Sequence, residues 1–325
     1  MPLKFKKSLI SKETYETAAA FDVDGDGIPD IVSGGWWYKG PDFEERHKIC
    51  EVRSEGEYYD DFSTIPMDIN GNGRMDFVTG GWFGCNLRWH ENPGNLNREW
   101  SGHIIAECGN VETTRAWDVD GDGQLEIVPN TPPTPLVVYK LMQDENGKGT
   151  GEFTAHKIYD KRQGHGLGFG DITGNGRGDF ILQNGWLEAP DDTYGGEWTF
   201  HPDFDLGSAS VPILVVDVNH DGLNDLIVGQ AHPYGLDWWE QCVSDSGERT
   251  WVKHPIDPYN SQYHDIQWVD IDGDGECELI TGKRYRAHCG GDPGANDDIG
   301  LYYFKWNGES FAKQVIDYGP AGVAS

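Results

Sequence analysis

One nine-residue pattern recurs six times and constrains the fold more than any other feature. It begins at Asp22 (DVDGDGIPD), Asp68 (DINGNGRMD), Asp118 (DVDGDGQLE), Asp171 (DITGNGRGD), Asp217 (DVNHDGLND) and Asp270 (DIDGDGECE). The starts lie 46, 50, 53, 46 and 53 residues apart. A period in that range marks an array or propeller of small repeated sheets. Hard oxygens at positions one, three, five and nine suit a calcium ion, which takes six to eight of them in flexible geometry. The expected ligands are Asp22, Asp24, Asp26 and Asp30; Asp68, Asn70, Asn72 and Asp76; and Asp118, Asp120, Asp122 and Glu126. The later copies offer Asp171, Thr173, Asn175 and Asp179; Asp217, Asn219, Asp221 and Asp225; and Asp270, Asp272, Asp274 and Glu278. The copies at Asp68 and Asp171 carry fewer charges, which predicts weak or empty sites there.

An EF-hand needs a bidentate Glu at position twelve. Here that position holds Ser33, Thr79, Pro129, Leu182, Val228 and Thr281, so the EF-hand is excluded. Each loop is followed by an apolar, β-branched run such as DIVSGG or DLIVGQ and preceded by another such as IQWV, so each joins two strands. A second recurrence lies between the loops: FEERHKI, WSGHII, FTAHKI, WTFHPDF, WVKHPI and FAKQVI. These read as outer strands, with His47, His103, His156, His201 and His254 as repeat scaffolding. Four strands in about 40–50 residues make one propeller blade. The fold expected is a single all-β propeller over residues 1–325, with repeats starting near 15, 61, 111, 164, 210 and 263. LKFKKSLI (3–10) matches the outer-strand pattern too. It predicts a seven-bladed architecture closed by that strand, with six full repeats and an incomplete seventh. The alternative is six blades with a spare terminal strand.

The phrases FDVDGDGIPDIVSGG and VDVNHDGLNDLIVG resemble FG-GAP/VCBS-type β-propeller repeats, the blade type of the integrin α head. The segments GHGLGFGDITGNG, QYHDIQWVDIDGDG and GKRYRAHCGGDPG more loosely resemble propeller sugar lyases and aldos-2-ulose dehydratase. That resemblance implies metal-assisted elimination on a sugar. The propeller resemblance alone does not fix a function, since such folds serve adhesion, binding and catalysis alike.

Strand order places a site. The calcium loops join the first strand of each blade to the second, so the opposite face is free. Six residues before each loop stand Glu16, Phe62, Glu112, His165, Val211 and His264, at equivalent heights. His165, His264 and Glu112 are candidate ligands of a channel metal. His165, His264, Tyr263, Arg284 and His232 are the candidate catalytic groups, as metal ligands, acid, base or enolate-stabilising cation. Trp36, Trp82 and Trp186 are candidate sugar-stacking surfaces, and Lys283, Arg286 and His288 candidate binders of an acidic group. The function expected is β-elimination on a uronide or keto-sugar by a carbon–oxygen lyase. The alternative is a non-catalytic, lectin- or integrin-like binding propeller.

The formal charge of −30 disfavours nucleic acid as a partner. Nineteen of the 55 acidic residues sit at the ligand positions named above, so six divalent ions would bring the balance to −18. No apolar run approaches the ~20 residues of a membrane span. The six cysteines form no CxxC and read as mostly free, with a Cys242–Cys289 bridge left open. MPLKFKKSLISKETYE holds no continuous apolar stretch of a leader, which suggests the cytoplasm, whereas calcium loops suggest an extracytoplasmic location.

Overall fold

The computed structural model describes residues 3–95, 98–285 and 287–319. They divide into two compact units, Lys7–Arg162 and Met1–Lys6 with Gln163–Ser325. Each unit holds three four-stranded antiparallel sheets in meander order, which are propeller blades. In the Lys7–Arg162 unit the first blade is β1 (Ala19–Phe21), β2 (Asp30–Ser33), β3 (Trp36–Tyr38) and β4 (Arg46–Lys48). A small hairpin follows, β5 (Ser54–Glu55) and β6 (Tyr58–Tyr59). The second blade is β7 (Ile65–Met67), β8 (Asp76–Gly81), β9 (Asn86–Glu91) and β10 (Ser101–Ala106). The third is β11 (Thr113–Trp117), β12 (Glu126–Asn130), β13 (Leu136–Gln143) and β14 (Gly149–Tyr159).

In the other unit the fourth blade is β15 (Leu167–Gly170), β16 (Asp179–Leu182), β17 (Gly185–Glu188) and β18 (Thr199–His201). The fifth is β19 (Leu214–Val216), β20 (Asp225–Gly229), β21 (Leu236–Val243) and β22 (Arg249–Pro255). The sixth is β23 (Ile266–Val269), β24 (Glu278–Gly282), β25 (Ile299–Trp306) and β26 (Phe311–Gly319). A four-residue turn of helix, α1 (Ala287–Gly290), interrupts the β24–β25 connection.

Among the described residues the blades number six, not seven. β26 pairs with β25 from Trp306↔Phe311 to Ile299↔Gly319 and completes the sixth sheet from its own segment. Residues 3–10 form no strand. Their alternation suggests a ladder partner, but each described blade already supplies its own outer strand. Phe5 instead sets its ring 6.2 Å from that of Tyr303.

The core lies between neighbouring blades. Phe21, Val32 and Trp37 of the first blade pack with Phe77 and Trp100 of the second. Ile181 and Trp186 pack with Leu226 and Val228, and Ile227 and Trp238 with Tyr302 and Phe304. Each such buried side chain contributes roughly 1.5–3 kcal/mol. The outer-strand histidines complete this packing: His47, His103, His201 and His254 stack on Trp37, Trp89, Trp186 and Trp238 at 4.2–4.5 Å. Among the described residues all six cysteines are free thiols, so Cys242 and Cys289 are not bridged. No described helix is long and apolar enough to cross a membrane.

Candidate metal centre and the repeated loops

All six loops have the same internal wiring. The sixth residue is glycine at φ between 83° and 94°, a region that favours glycine. Its N–H donates to the first aspartate: Gly27 to Asp22 at 2.8 Å, Gly73 to Asp68 at 2.9 Å, Gly176 to Asp171 at 2.7 Å. The ninth residue, Asp30, Asp76, Glu126, Asp179, Asp225 or Glu278, opens the second strand and is fully buried. It works as a latch. Asp76 accepts the N–H of Ile69 at 3.0 Å on one oxygen and that of Asn92 at 2.8 Å on the other. Asp30, Asp179 and Asp225 accept two backbone N–H groups in the same way.

The loops differ in what the third strand brings to them. The pairs Ile31↔Tyr38, Phe77↔His90, Ile127↔Tyr139, Phe180↔Leu187, Leu226↔Trp239 and Leu279↔Phe304 fix one equivalent position just beyond. It holds Lys39, Glu91, Lys140, Glu188, Glu240 and Lys305. The three loops reading DxDxDG have lysine there. Lys140 Nζ lies 2.5 Å from Asp120, 2.6 Å from Asp122 and 3.2 Å from Glu126. Lys305 Nζ lies 2.9, 2.5 and 2.9 Å from Asp272, Asp274 and Glu278, and Lys39 pairs with Asp24 and, at 2.7 Å, Asp26. These contacts raise the three ammonium pKa values; for Lys140 they outweigh the opposing effect of burial. The three loops with Asn or Thr substitutions have glutamate instead. Glu91 accepts from Asn70 Nδ2 at 3.1 Å and Glu240 from Asn219 Nδ2 at 3.3 Å. Outer-strand histidines hold these glutamates, His201 to Glu188 at 2.8 Å and His254 to Glu240 at 2.7 Å. The donor sets fit a hard divalent ion in the second class. In the first class Asp22, Asp24 and Asp30, Asp118, Asp120 and Asp122, and Asp270, Asp272 and Glu278 also gather closely enough to hold a metal ion, each set beside a lysine ammonium.

The histidines meet on the other side of the fourth, fifth and sixth blades. His165 precedes β15, His264 precedes β23, and His232 lies in the β20–β21 connection. Their ring centroids are 4.6 Å (His165–His232), 5.6 Å (His165–His264) and 5.8 Å (His232–His264) apart, with interplanar angles of 76–88°. One nitrogen from each lies within 4.8 Å of the others. The hydrogen bonds assign two tautomers. His165 Nδ1 is 2.8 Å from the Ala209 carbonyl, which only accepts, so Nδ1 carries the proton. His232 Nδ1 is 2.9 Å from Asp292 Oδ2. Burial raises the Asp292 pKa, but the hydrogen bonds from His288 and His232 outweigh it and hold the group below the usual carboxylate range. Asp292 is therefore an acceptor and His232 Nδ1 a donor. Both Nε2 atoms then present lone pairs, and they face each other at 3.0 Å. Two lone pairs at that distance repel unless a proton or metal lies between them. A ligand imidazole with its other N–H held by a carbonyl or carboxylate is the usual outer shell of a metal site.

His288 extends this arrangement. Its Nδ1 lies 2.8 Å from Asp292 Oδ1, and its ring stacks on His232 at 4.5 Å. One carboxylate thus orients two imidazoles. His288 and Cys289 sit at φ 48° and 53°, a left-handed pair that costs of order 1–3 kcal/mol per residue and clusters at functional sites.

The remaining sequence candidates are placed as follows. Tyr263 is fully buried and donates to Asp257 at 2.8 Å; burial first, then the Asp257 charge, push its pKa far up, so it is a core residue rather than an acid or base. Trp186 is 1% exposed, stacked on His201 and hydrogen-bonded to Asp203 at 2.9 Å, so it offers no free face. Lys283 is also 1% exposed; its Nζ donates to the carbonyls of Arg284 and Ala295 at 3.3 Å, and burial lowers its pKa. Arg284 is buried, and Arg286 lies outside the described residues. Trp36 and Trp82 are half-buried members of the Lys7–Arg162 unit, Trp36 with the Arg46 guanidinium 4.3 Å from its ring centre. Glu112 belongs to that unit too, buried ahead of β11 with its N–H on the Asn130 carbonyl. Sequence reasoning missed Asp292, whose only signal is its place in CGGDPG.

The family comparison agrees with the repeat architecture. Residues 68–128 match the FG-GAP-like repeat family. The matched FG-GAP-like repeat runs from the second loop through the third loop into β12. No curated protein matches the chain. Among solved structures, the Photorhabdus luminescens Tc holotoxin pore is similar at 17% identity, 82% coverage of this chain and TM-score 0.37. The V. cholerae biofilm matrix protein Bap1 aligns at 16% identity, 79% coverage and TM-score 0.39. BBS1N, solved in complex with ARL6DN, aligns at 11% identity, 94% coverage and TM-score 0.47. The alignments span 13%, 40% and 82% of those chains.

Proposed function

We propose that this protein is a metal-assisted, carbohydrate-active carbon–oxygen lyase centred on His165, His232 and His264. The observation that carries this reading is the pair of Nε2 atoms converging at 3.0 Å with both Nδ1 positions already spent as donors. Three near-perpendicular imidazoles suit a borderline transition metal rather than calcium. A divalent ion held there supplies positive charge beside a developing enolate. The chain's own groups do the rest. Asp292 fixes the His232 tautomer and, through the His288 N–H, keeps that exposed imidazole oriented as a base. His288 takes the proton α to the carbonyl, the C–H electron pair becomes the new double bond, and the β-oxygen leaves with its own pair. A uronide or keto-sugar is the substrate class, following the resemblance of the three motif segments.

The test is elemental analysis of tag-free protein, together with the ultraviolet absorbance of unsaturated product from uronides and keto-sugars. We expect one transition-metal equivalent, lost in His165→Ala and His232→Ala. His288→Ala should retain the metal and lose about 100-fold or more in turnover. Normal turnover in all three variants overturns the reading. Glycan binding without turnover by the metal-loaded wild type would assign the alternative, a binding propeller.

The loops take calcium in this reading as stiffening ions, and only in part. Those at Asp68, Asp171 and Asp217 hold the ion, with Glu91, Glu188 and Glu240 contributing an oxygen. Those at Asp22, Asp118 and Asp270 are closed by their lysines.

A further inference from the structure

A cavity of about 240 Å³ lies in the Lys7–Arg162 unit between the first and second blades. Asp61, Ser63, Arg88 and His90 line it with Cys50 and Phe77. Asp61, Ser63 and His90 are 4%, 5% and 8% exposed, yet Asp61 Oδ2, Ser63 Oγ and His90 Nδ1 each lack a hydrogen-bond partner. Three buried side chains that each carry an unpaired polar atom line one cavity, which is unusual, because buried polar atoms are nearly always paired. Each left unpaired costs of order 1–3 kcal/mol. The charged groups around them are already engaged. Asp60 accepts the N–H groups of Phe83 and Gly84 at 2.8 and 2.9 Å. Arg88 donates to the Asp60 carbonyl and to Asn86 Oδ1 at 3.1 Å, and Arg53 to the Phe83 carbonyl at 2.9 Å.

We propose that this cavity binds a neutral single-ring polyol, a monosaccharide or the terminal sugar of a glycan, through Asp61, Ser63 and His90. The size excludes longer ligands, since pockets for drug-sized molecules run roughly 300–1,000 Å³. The lining carries both signs, Glu51 and Asp60 against Arg53 and Arg88, so it favours neither an anion nor a cation. What remains is a carboxyl, a hydroxyl and an imidazole. Burial first, with the Glu16 charge adding, pushes Asp61 up to about 8. Burial, with Arg88 and His103, pushes His90 down to about 4. At neutral pH both are uncharged and, like Ser63, can donate or accept. Hydroxyls on adjacent ring carbons do the same, so every pairing has a complement. The Cys50 thiol, pushed up to about 11 by burial, stays protonated and is no nucleophile here. The site shares no residue with the histidine cluster and does not depend on its role.

Saturation-transfer NMR against glucose, galactose, mannose, myo-inositol and their methyl ethers tests this. Methyl glycosides separate a terminal-sugar site, which tolerates the anomeric methyl, from a free-sugar site, which rejects it. We expect millimolar binding of at least one member, unchanged in His165→Ala. Ser63→Ala and Asp61→Leu should weaken it about 10-fold each. Asp61→Asn, the neutral mimic of the protonated acid, should bind within about 3-fold of wild type at pH 7. Raising the pH past 8 should weaken wild type and leave Asp61→Asn unchanged. The groups facing Asp61 are Glu16, Tyr15, Asp60 and Arg88; burial holds the Tyr15 phenol above its ordinary value, so it stays neutral across that range. No saturation transfer from any panel member to folded protein overturns the proposal. So does equal binding by wild type, Ser63→Ala and Asp61→Leu with unaltered melting.

Discussion

The loop at Asp118 and the loop at Asp68 have nearly the same backbone and opposite solutions to the same electrostatic problem. Both turn at a left-handed glycine, both gather amides on the first aspartate, and both are fastened by a buried acid at the ninth position. The first carries four carboxylates and receives Lys140; the second carries two and receives Glu91. Either way the cluster is left at formal charge −3. The loops at Asp22, Asp171 and Asp270 reach the same value with Lys39, Glu188 and Lys305, and the loop at Asp217 reaches −4 with Glu240. In the proposed reading, a residue on the neighbouring strand decides whether the cation is built in or must be bound. The richest carboxylate pattern is the one that already has its counter-ion.

The largest effect that would break this contrast is on calcium content. Glu91→Gln, Glu188→Gln and Glu240→Gln combined should take bound calcium from about three per chain to near zero, read by titration calorimetry. Loss of none would show that these glutamates are not ligands. Next, chelation of wild type should lower the melting temperature by on the order of 10 °C, since ions that bind only the folded chain stabilise it by mass action. The triple variant should melt near that lower value and ignore the chelator. Smaller still, Lys140→Gln should gain about one calcium per chain. Without calcium it should melt a few degrees below wild type, because three carboxylates lose their counter-charge. An unchanged calcium count would place Lys140 outside the ion position.

A separate effect lies away from the loops and serves as their control, because it should persist with or without calcium. Asp61 is raised from about 3.8 to about 8 by burial, so the folded chain holds a proton that the unfolded chain releases. That contribution is complete below about pH 4 and is lost as pH rises towards 8. Asp61→Asn should remove this slope in chemical denaturation measured at several pH values. A slope of the same size in the variant would assign the titration elsewhere.

Much of this was legible in the sequence. The period gave six blades' worth of strands, and the Trp–His stacks follow from the recurring outer-strand histidine. His165 and His264 stand six residues before their loops, and that shared register brought their rings to 5.6 Å. What stayed hidden depends on pairing across strands. Lys140 and Glu91 lie some twenty residues past their loops' first aspartates, and only the ladder shows that they are equivalent. Charge counted within the loop alone leaves out the lysine or glutamate that the third strand adds. Residues 3–10 copied an outer strand's alternation without a free edge to join, which produced the seventh blade. Tyr263 and Lys283 looked reactive by type, but each is turned into the core. Asp292 sits in a connection with no periodicity to mark it.

The most direct measurement is the metal content of tag-free, undialysed protein by elemental analysis. The account predicts about three calcium ions and one transition-metal ion per chain. Six calcium ions with no transition metal, or no metal of either kind, would contradict it.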